Sequence, residues 1–229
     1  MWKLIKLEWK KSNIVKYIRN AAVVTAVLLI FIVATAGELE RDTMEELYKG
    51  SMLQAAVELF VNMSYMVFTG VMLASFVVGA YEKKTMNLMF SYPIRRQKIL
   101  LSKISAVWIF NFAAMVVSKL LICGALLLTK QFTHISAASI RFDRLSFWTD
   151  ILLGSAAMVS ISYIALPIGL KMRSSRAAIV AAVIIVCFTQ GNIGTLTLVN
   201  NMFFYALLFA IAVFAVFLSV CSVEVKDVV

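Results

Sequence analysis

Four polar side chains lie at helical spacing within a stretch of the sequence that is otherwise apolar. Glu58, Asn62, Tyr65 and Thr69 follow one another at intervals of four, three and four residues. An α-helix completes a turn in about 3.6 residues, so these side chains share one face of a helix. In a membrane protein such a face lines a path for the polar part of a ligand, or it hydrogen-bonds to neighbouring helices.

A second group of polar residues lies further along the chain, where Asn111, Ser118 and Lys119 cluster on one side of a predicted helix. An ionisable side chain within a membrane is costly unless it is paired or hydrated. We therefore expect Glu58 to pair with Lys119 between neighbouring helices, with the lysine stem extending outward. We name six residues the polar stripe: Glu58, Asn62, Tyr65, Thr69, Asn111 and Lys119. Two interpretations of it stay open, a substrate path or outer gate, and ordinary bonds between helices.

The sequence lacks the motifs of the common enzyme classes. It has no Gly-x-x-x-x-Gly-Lys-[Ser/Thr] phosphate loop, so we expect no ATP hydrolysis by this chain alone. Its one histidine, His134, excludes a His-Glu-x-x-His zinc site, and Glu45 and Glu46 have no histidines beside them. The three cysteines lack metal-ligand spacing and suit packing roles. We therefore predict no catalytic, cofactor-binding or metal-binding residues. A proton-coupled carrier would have only Glu58 and Lys119 to use.

The composition is that of a membrane protein. Hydrophobic residues make up 62% of the 229 residues and charged residues 15%, whereas a soluble domain has roughly half and about a quarter. A membrane-spanning helix needs about 20 mostly apolar residues. Six stretches qualify, at about residues 20–36, 55–80, 104–129, 150–170, 177–190 and 201–222. The sequence predicts an all-α polytopic membrane protein with one transmembrane domain over residues 1–229.

Three local patterns refine these spans. Pro167, followed by Gly169, predicts a kink near the end of the fourth span. The fifth span is short and runs into residues 191–194, where we expect a tilt or a broken re-entrant turn. Small residues recur at four-residue spacing in the fifth span, as Ala177 with Ala181 and Ala178 with Ala182. This spacing predicts tight helix contact, for which a second copy of the chain is one candidate partner.

Positive charge is distributed unevenly along the chain. If both termini are inside, sixteen of the 22 Lys and Arg residues fall on inner segments and five on outer ones. Positive residues collect on cytoplasmic loops, so we predict cytoplasmic termini in the cell (plasma) membrane. The net charge of +10 then reflects topology and contact with anionic lipid, and no basic soluble face predicts binding to nucleic acid.

The N-terminal segment, residues 1–19, is predicted to lie at the membrane interface. In its first helix Lys3, Lys6 and Lys10 share one face, and Trp2, Ile5 and Trp9 share another. Such a helix would lie flat on the inner leaflet and lead into the first span. A plain basic anchor that obeys the charge rule is compatible with the same pattern.

The loop between the second and third spans combines charge with protruding apolar residues. Residues 82–90 are compatible with a short helix that ends before Pro93, because a residue that precedes proline avoids helical geometry. The apolar contacts of this helix would be Met86, Leu88, Met89 and Phe90. The pattern predicts a docking element for a cytoplasmic partner. An interfacial helix resting on lipid is the alternative.

This loop resembles that of type 2 ABC exporter permeases, which often read Glu, a few residues, Gly-Thr, Leu-Leu, then Ser-x-Pro-Ile-x-Arg and a later Lys. The matching residues here are Glu82, Thr85, Leu88, Met89, Ser91, Pro93, Ile94, Arg96 and Lys103. The chain departs from the pattern at Lys84, where the family commonly has Gly, and at Met89 and Phe90, where Leu is usual. The six spans, the basic N-terminal helix and the inner termini also resemble this family, over the whole chain.

The resemblance implies a half-transporter. A second permease subunit (the same chain or a paralogue) would pair with it, and two copies of a separate ATPase, which carry ATP and Mg, would dock beneath. The segment 82–93 would be the coupling helix in the ATPase groove, and the first and fifth spans would contact the second permease. The implied coupling residues are Glu82, Thr85, Met86, Leu88, Met89, Phe90, Ser91, Pro93, Arg95 and Arg96.

The chain looks most like the compact permeases of bacitracin and lantibiotic self-protection or of small-peptide export. The resemblance therefore implies export of a hydrophobic or amphipathic peptide, such as an antimicrobial or signalling peptide. Candidate contacts for it are the aromatic residues Phe68, Phe76, Trp108, Phe110 and Phe112, which lipid or the protein core would suit equally well. Two alternatives stay open: a permease for a lipid or another small hydrophobic compound, and a membrane scaffold or regulatory subunit that transports nothing.

Overall fold

The computed structural model describes residues 2–39, 52–82, 96–129, 145–190, 192–193, 196–197 and 202–225. The described chain is helical apart from one short hairpin. Its α-helices are α1 (Trp2–Lys11), α2 (Ile14–Leu39), α3 (Met52–Leu73), α4 (Gly79–Glu82), α5 (Arg96–Thr129), α6 (Leu145–Ile161), α7 (Ala165–Met172), α8 (Ser175–Gln190) and α9 (Met202–Val225). The strands are β1 (Asn192–Ile193) and β2 (Leu196–Thr197).

Within the described residues, four helical stretches are long and apolar enough to cross a membrane: Ile14–Thr35, Gln54–Glu82, Gln97–Leu128 and Phe147–Met172. Two shorter apolar helices, Ser175–Gln190 and Phe204–Val220, occupy the positions of the predicted fifth and sixth spans. The prediction of an all-helical, multi-pass membrane protein is confirmed in this coarse form. The exact number of six spans, the single transmembrane domain and the cytoplasmic termini stay predictions.

Two of the long apolar stretches are interrupted at identifiable residues. A π-helical turn, Ala74–Val78, joins α3 to α4. A turn of 3-10 helix, Ser162–Ile164, separates α6 from α7. Pro167 lacks the N–H that would bond to the carbonyl of Tyr163, and its ring crowds that carbonyl. The proline therefore accounts for the change of helix type, and the predicted irregularity in the fourth span lies one turn before it.

The chain divides into two compact units. The first unit contains Met1–Ile14, Tyr65–Asn111 and Ala157–Val229. The second unit contains Val15–Ser64 and Phe112–Ala156. All four boundaries cut helices, since α2, α3, α5 and α6 each contribute to the two units.

Small residues allow close helix packing in the first unit. Ala178 packs with Ala74 and Val78, and all three are buried. A Cβ added at Gly169 would lie 2.6 Å from the Ala178 Cβ, and a Cβ at Gly70 would collide with Ala182. Glycine at these two positions is therefore required for the close approach of α8.

The predicted tight contact of the fifth span is confirmed, but its partner is the same chain. Ala178, Ala181 and Ala182 are all buried without a second copy. The expectation that this alanine face meets another permease subunit is therefore wrong for these three residues, because helices of the first unit already cover them. Ala177 is half-buried.

In the second unit, α2 contacts α3 and α5 through different side chains. Thr25 and Ser118 share a hydrogen bond of 2.6 Å between their hydroxyl oxygens. The rings of Phe31 and Phe60 meet edge to face with their centroids 5.1 Å apart. Such polar and aromatic contacts supply the specificity that apolar packing alone lacks in a membrane.

The end of α8 leads into an antiparallel hairpin in which Asn192 pairs with Thr197 and Ile193 with Leu196. The chain thus leaves the helix in the region where a broken turn was predicted. The acidic segment of residues 40–51, Glu45 and Glu46 within it, and His134 lie outside the described residues.

Candidate functional site: the ends of the inner loop and the polar stripe

The amphipathic helix α1 is held to α5 by a buried ion pair. The ammonium Nζ of Lys103 lies 2.8 Å from the carboxylate Oε2 of Glu8. Lys103 is 3% exposed and Glu8 7%. Charges in such a place need a partner, because an unpaired buried charge is far more costly than a paired one. The pair therefore fixes α1 to the start of the third apolar stretch.

A second bond supports the same contact. The indole Nε1 of Trp9 donates to the carbonyl of Ala106 over 3.1 Å. Ile5, on the same side of α1, is buried. The four lysines of α1, which are Lys3, Lys6, Lys10 and Lys11, are exposed. The predicted separation of a lysine face from a face with Ile5 and Trp9 is confirmed, whereas Trp2 is 65% exposed and lies outside the packed face.

Glu82, the last residue of α4, bonds to the first residue of α8. Its Oε2 accepts a hydrogen bond of 2.6 Å from Ser175 Oγ and one of 3.2 Å from the Ser175 backbone N–H. The first N–H groups of a helix have no partner within that helix. A carboxylate there satisfies one of them and interacts favourably with the positive end of the helix dipole. Glu82 thus caps α8 from another part of the chain.

A tight turn brings Ser175 to this place. Arg173 adopts a left-handed conformation, with φ 49° and ψ 36°, at the end of α7. Its N–H donates to Leu170 O, and the N–H of Ser174 donates to Gly169 O. These two bonds form a Schellman motif, which ends one helix and lets the next begin within two residues. The carbonyl of Ser174 accepts the first bond of α8, from the N–H of Ala178.

The π-helical turn lies beside the same serine. Ser175 Oγ is 3.4 Å from the carbonyl oxygen of Ala74, which opens that turn. A Cβ at Gly79 would lie 3.6 Å from Ser175 Oγ and 3.3 Å from the Ala74 carbonyl oxygen. The approach to the Ala74 carbonyl is the tight one, whereas 3.6 Å is an ordinary contact with the serine hydroxyl, so Gly79 mainly relieves crowding within the widened turn.

Three members of the polar stripe lie in the second unit. Lys119 is 2% exposed, Asn62 is 7% exposed and Glu58 is half-buried. Burial acts most strongly on the Lys119 ammonium, and the attraction of Glu58, and more weakly that of Asp150, opposes it. The ion pairs of the described residues do not include one between Glu58 and Lys119. The predicted partners thus act on each other electrostatically without a direct contact.

The other three members lie in the first unit and are buried. Thr69 Oγ1 donates to the carbonyl of Tyr65 over 2.7 Å, one turn earlier on the same helix. Asn111 Nδ2 donates to Val107 O over 2.9 Å and approaches Met72 Sδ at 3.3 Å. For Thr69 these contacts are the ordinary backbone bonds of a polar residue in a membrane helix. No hydrogen bond within the described structure reaches Asn62 Oδ1 or Asn111 Oδ1.

The predicted coupling residues are only partly visible. Eight of them, Thr85, Met86, Leu88, Met89, Phe90, Ser91, Pro93 and Arg95, lie outside the described residues. Glu82 ends α4 before this segment, and Arg96 begins α5 after it. The coupling helix therefore stays a prediction.

Glu8 and Ser175 escaped the sequence-based prediction. One signal for Glu8 was present: it is the one acidic residue in a helix that holds four lysines. Ser175 gave no such signal, because its role depends on the turn at Arg173 and on Glu82, more than ninety positions away.

The contacts near the two ends of the predicted inner loop are an ion pair and hydrogen bonds that join helices. The described residues contain no group of three or more His, Cys, Asp or Glu side chains that would hold a metal ion. Instead, bonds over long sequence distances join α1 to α5 and α4 to α8. Both sets of bonds lie in the first unit, near the two ends of the predicted inner loop.

The comparisons with known proteins agree with this membrane architecture. The chain is 20% identical over 225 residues to Uncharacterized protein YcbO of Bacillus subtilis (strain 168), and the match covers 98% of this chain and 99% of that protein. No solved structure matches the chain. A family model described as "ABC-2 family transporter protein" matches residues 4–189, which include α1, the inner loop and α8 up to its last turn. The chain is therefore a member of the ABC-2 family of transporter membrane proteins, whose members normally work with an ATPase subunit.

Proposed function

We propose that this chain is the permease subunit of an ATP-driven exporter that moves a hydrophobic or amphipathic peptide out of the cytoplasm or the membrane. The observation that carries this proposal is the family match over residues 4–189. It spans the helices on both sides of the inner loop and α8, which Glu82 caps. ATP hydrolysis takes place on a separate subunit, consistent with the missing phosphate loop in this chain.

The ATPase docks on the loop between α4 and α5, in the segment 82–93. This loop has the apolar residues Met86, Leu88, Met89 and Phe90 for a groove, and basic residues on both sides of them. The chain on either side of it is anchored, by Glu82 to Ser175 and by Lys103 to Glu8. A loop with fixed ends transmits a push to the helices, whereas a slack loop would absorb it.

The working complex contains two permease subunits and two ATPases in the cell membrane, with both permease termini in the cytoplasm. The excess of Lys and Arg on the predicted inner segments supports this orientation. Because Ala178, Ala181 and Ala182 are already buried within the chain, the contact with the second permease uses other surfaces of the fifth span or other helices. The exposed side of α8 includes Val180, Val183 and Ile184.

The burial of the aromatic residues reduces the number of candidate contacts for the peptide. Phe76 is 3% exposed, so it belongs to the core and drops out as a peptide contact. Phe68 and Phe110 are half-buried with ring centroids 6.5 Å apart, and Trp108 donates to Ser160 Oγ. Half-buried aromatic rings at an apolar surface suit an amphipathic ligand. Phe68 and Phe110 are therefore the strongest candidates for contact with the peptide.

The docking segment is tested by Met89→Asp in the complex of the permease with its ATPase. A buried carboxylate in an apolar groove is costly, so we expect the ATPase no longer to copurify with the permease. Lys171→Ala, which changes an exposed residue near the end of the fourth apolar stretch, is the matched control and should keep the complex intact. Normal copurification of the Met89→Asp variant would contradict the docking site.

The transported compound is tested with vesicles that contain the purified complex. Amphipathic peptides are expected to stimulate ATP hydrolysis, and Phe68→Ala is expected to lower this stimulation while leaving basal hydrolysis unchanged. Phospholipids and small hydrophobic compounds are the comparison set. Stimulation by these compounds and not by peptides would replace the peptide assignment with the lipid alternative.

The part of the polar stripe in transport is tested by Glu58→Gln in the same vesicles. Gln keeps the size and hydrogen bonding of the side chain and removes its attraction for Lys119. We expect less peptide-stimulated hydrolysis at unchanged expression. Unchanged transport would leave the stripe with a packing role alone.

A further inference from the structure

We propose that Glu82 is a positioning residue that carries the movement of the inner loop into α8, and that it does so through Ser175 rather than by contact with the ATPase. This inference rests on the proposed function, because it needs an ATPase that pushes on the segment 82–93. It assigns Glu82 a partner within the permease itself.

The two anchors near the ends of the inner loop differ in their surroundings. The Glu8–Lys103 pair is buried, so it stays formed while the loop moves. Glu82 is exposed and Ser175 is half-buried. The buried pair is therefore a fixed anchor. The Glu82–Ser175 contact lies at the surface and is held by two hydrogen bonds, so Glu82 and the start of α8 move together with the end of the loop.

The position of Glu82 determines which part of the permease moves when Glu82 is displaced. It is the last residue of α4, and its Oε2 accepts hydrogen bonds from both the hydroxyl and the backbone N–H of Ser175. A pull on Glu82 thus acts on the first residue of α8. The short turn after α7, with Arg173 in a left-handed conformation, lets α8 move there without a long linker to absorb the motion.

The packing of α8 then carries the motion away from the loop. Ala178 lies one turn into α8 against Ala74 and Val78, and Ala182 lies against Gly70. These close contacts leave little room for α8 to move alone, because interiors packed on small residues shift as units. Displacement of the first turn of α8 consequently moves the side chains packed along the second apolar stretch.

The test uses Ser175→Pro, which removes both donors to Glu82 from the α8 side. Proline is well tolerated at the first position of a helix, where its missing N–H has no partner within the helix. Ser174, before it, is not helical, so the variant is compatible with the turn. Met172→Ala changes a residue of the same turn that is 65% exposed and serves as the matched control.

The measurement is hydrogen exchange of the whole permease–ATPase complex in lipid, with and without trapped ATP. In the natural sequence we expect nucleotide to change exchange at the amides of residues 178–183 by about fivefold, the lower end of coupling between distant sites. In Ser175→Pro this response is expected to disappear, while the response at residues 98–101, after the loop, remains. Peptide transport per ATP hydrolysed should fall about fivefold as well.

Two substitutions at Glu82 distinguish a role as acceptor for Ser175 from a role in direct contact with the ATPase. Glu82→Gln keeps an oxygen that accepts both bonds from Ser175, whereas Glu82→Ala removes the acceptor. We expect Glu82→Gln to retain most of the response and Glu82→Ala to behave like Ser175→Pro. If the charge of Glu82 served the ATPase directly, Glu82→Gln would be as damaging as Glu82→Ala and Ser175→Pro would be harmless; that result overturns the inference.

The two proposals fail in different ways. An ATPase that does not copurify with the natural sequence refutes the proposed function, and the inference with it. An ATPase that binds, with a nucleotide response that Ser175→Pro leaves intact in α8, refutes the inference alone. If either variant does not assemble, the other removes the same two bonds from the opposite side and decides the outcome.

Discussion

Two buried lysines of α5 have different electrostatic surroundings. Lys103, in the first unit, lies 2.8 Å from the Glu8 carboxylate and has a matched partner in a buried ion pair. Lys119, in the second unit, is equally buried, and the ion pairs of the described residues do not include one that it makes. The same side chain on the same helix thus has a bonded carboxylate in one place and, within the described residues, none in the other.

This difference separates a structural charge from a candidate functional one. A buried pair with good geometry holds two elements in register, and its loss leaves an uncompensated charge. A buried lysine without a bonded carboxylate is costly to keep charged, and ionisable groups in membrane helices mark functional sites. We therefore assign Lys103 to the fixed anchor of α1 and keep Lys119 as a candidate for transport.

The largest effect is expected from Lys103→Met. The variant leaves Glu8 buried without its partner, and breaking a buried pair on one side costs about 3–5 kcal/mol of folding free energy. Thermal unfolding of the purified protein in detergent measures it. The double variant Glu8→Gln with Lys103→Met removes both charges and should recover most of the loss. Equal stability of the single variant and the natural sequence would show that the pair anchors nothing.

Trp9→Phe should have a smaller effect of the same kind. It removes the bond from Nε1 to the Ala106 carbonyl and keeps an aromatic ring, at a cost of about 1 kcal/mol. Unfolding in the same detergent gives the value. Trp2→Phe, in an exposed position of the same helix, is the control and should change little. Equal losses in the two variants would mean that ring size and not the hydrogen bond matters.

Lys119→Met tests the comparison between the two lysines most directly, because, unlike Lys103→Met, it is not expected to lower the folding stability. Removal of a buried charge without a bonded partner is expected to leave stability unchanged or to raise it by about 1 kcal/mol. Peptide-stimulated ATP hydrolysis should fall about fivefold if diffuse charge serves transport. A loss of stability as large as that of Lys103→Met would place both lysines in the same structural class.

The smallest effect is expected from Thr25→Val. It removes the 2.6 Å hydrogen bond to Ser118 in the second unit and keeps the shape of the side chain. Bonds between membrane helices contribute about 0.6 kcal/mol on average. A double-mutant cycle with Ser118→Ala isolates this term. A coupling energy of several kcal/mol would show that the second unit, too, depends on one polar contact.

Much of the helical architecture followed from periodicity and charge. Apolar stretches of sufficient length predicted the positions of the helices, because backbone polar groups in a membrane must be satisfied within the helix. The face shared by Asn62, Tyr65 and Thr69 was predicted from spacing alone, and these side chains are indeed buried. The predicted direct pairing of Glu58 with Lys119 is not among the ion pairs of the described residues, since spacing along two separate helices gives no distance between them.

Partners across long sequence separations were the part that escaped prediction. Lys103 was assigned to the loop motif, yet its side chain is held by Glu8, which no motif marked. Ala178 and Ala182 were correctly expected at a tight contact, but alanine spacing is the same whether the partner is another helix of the chain or a second copy.

The sequence by itself determined that this chain is a helical, multi-pass membrane protein with a charged loop that resembles the loop of type 2 ABC permeases, because hydropathy, charge bias and local motif are properties of neighbouring residues. The tertiary structure alone decided which groups meet: Glu8 with Lys103, Glu82 with Ser175, and Gly70 with Ala182. The physical reason is that hydrogen bonds, ion pairs and close packing act over a few ångströms, and only the folded chain brings residues so distant in sequence within that range.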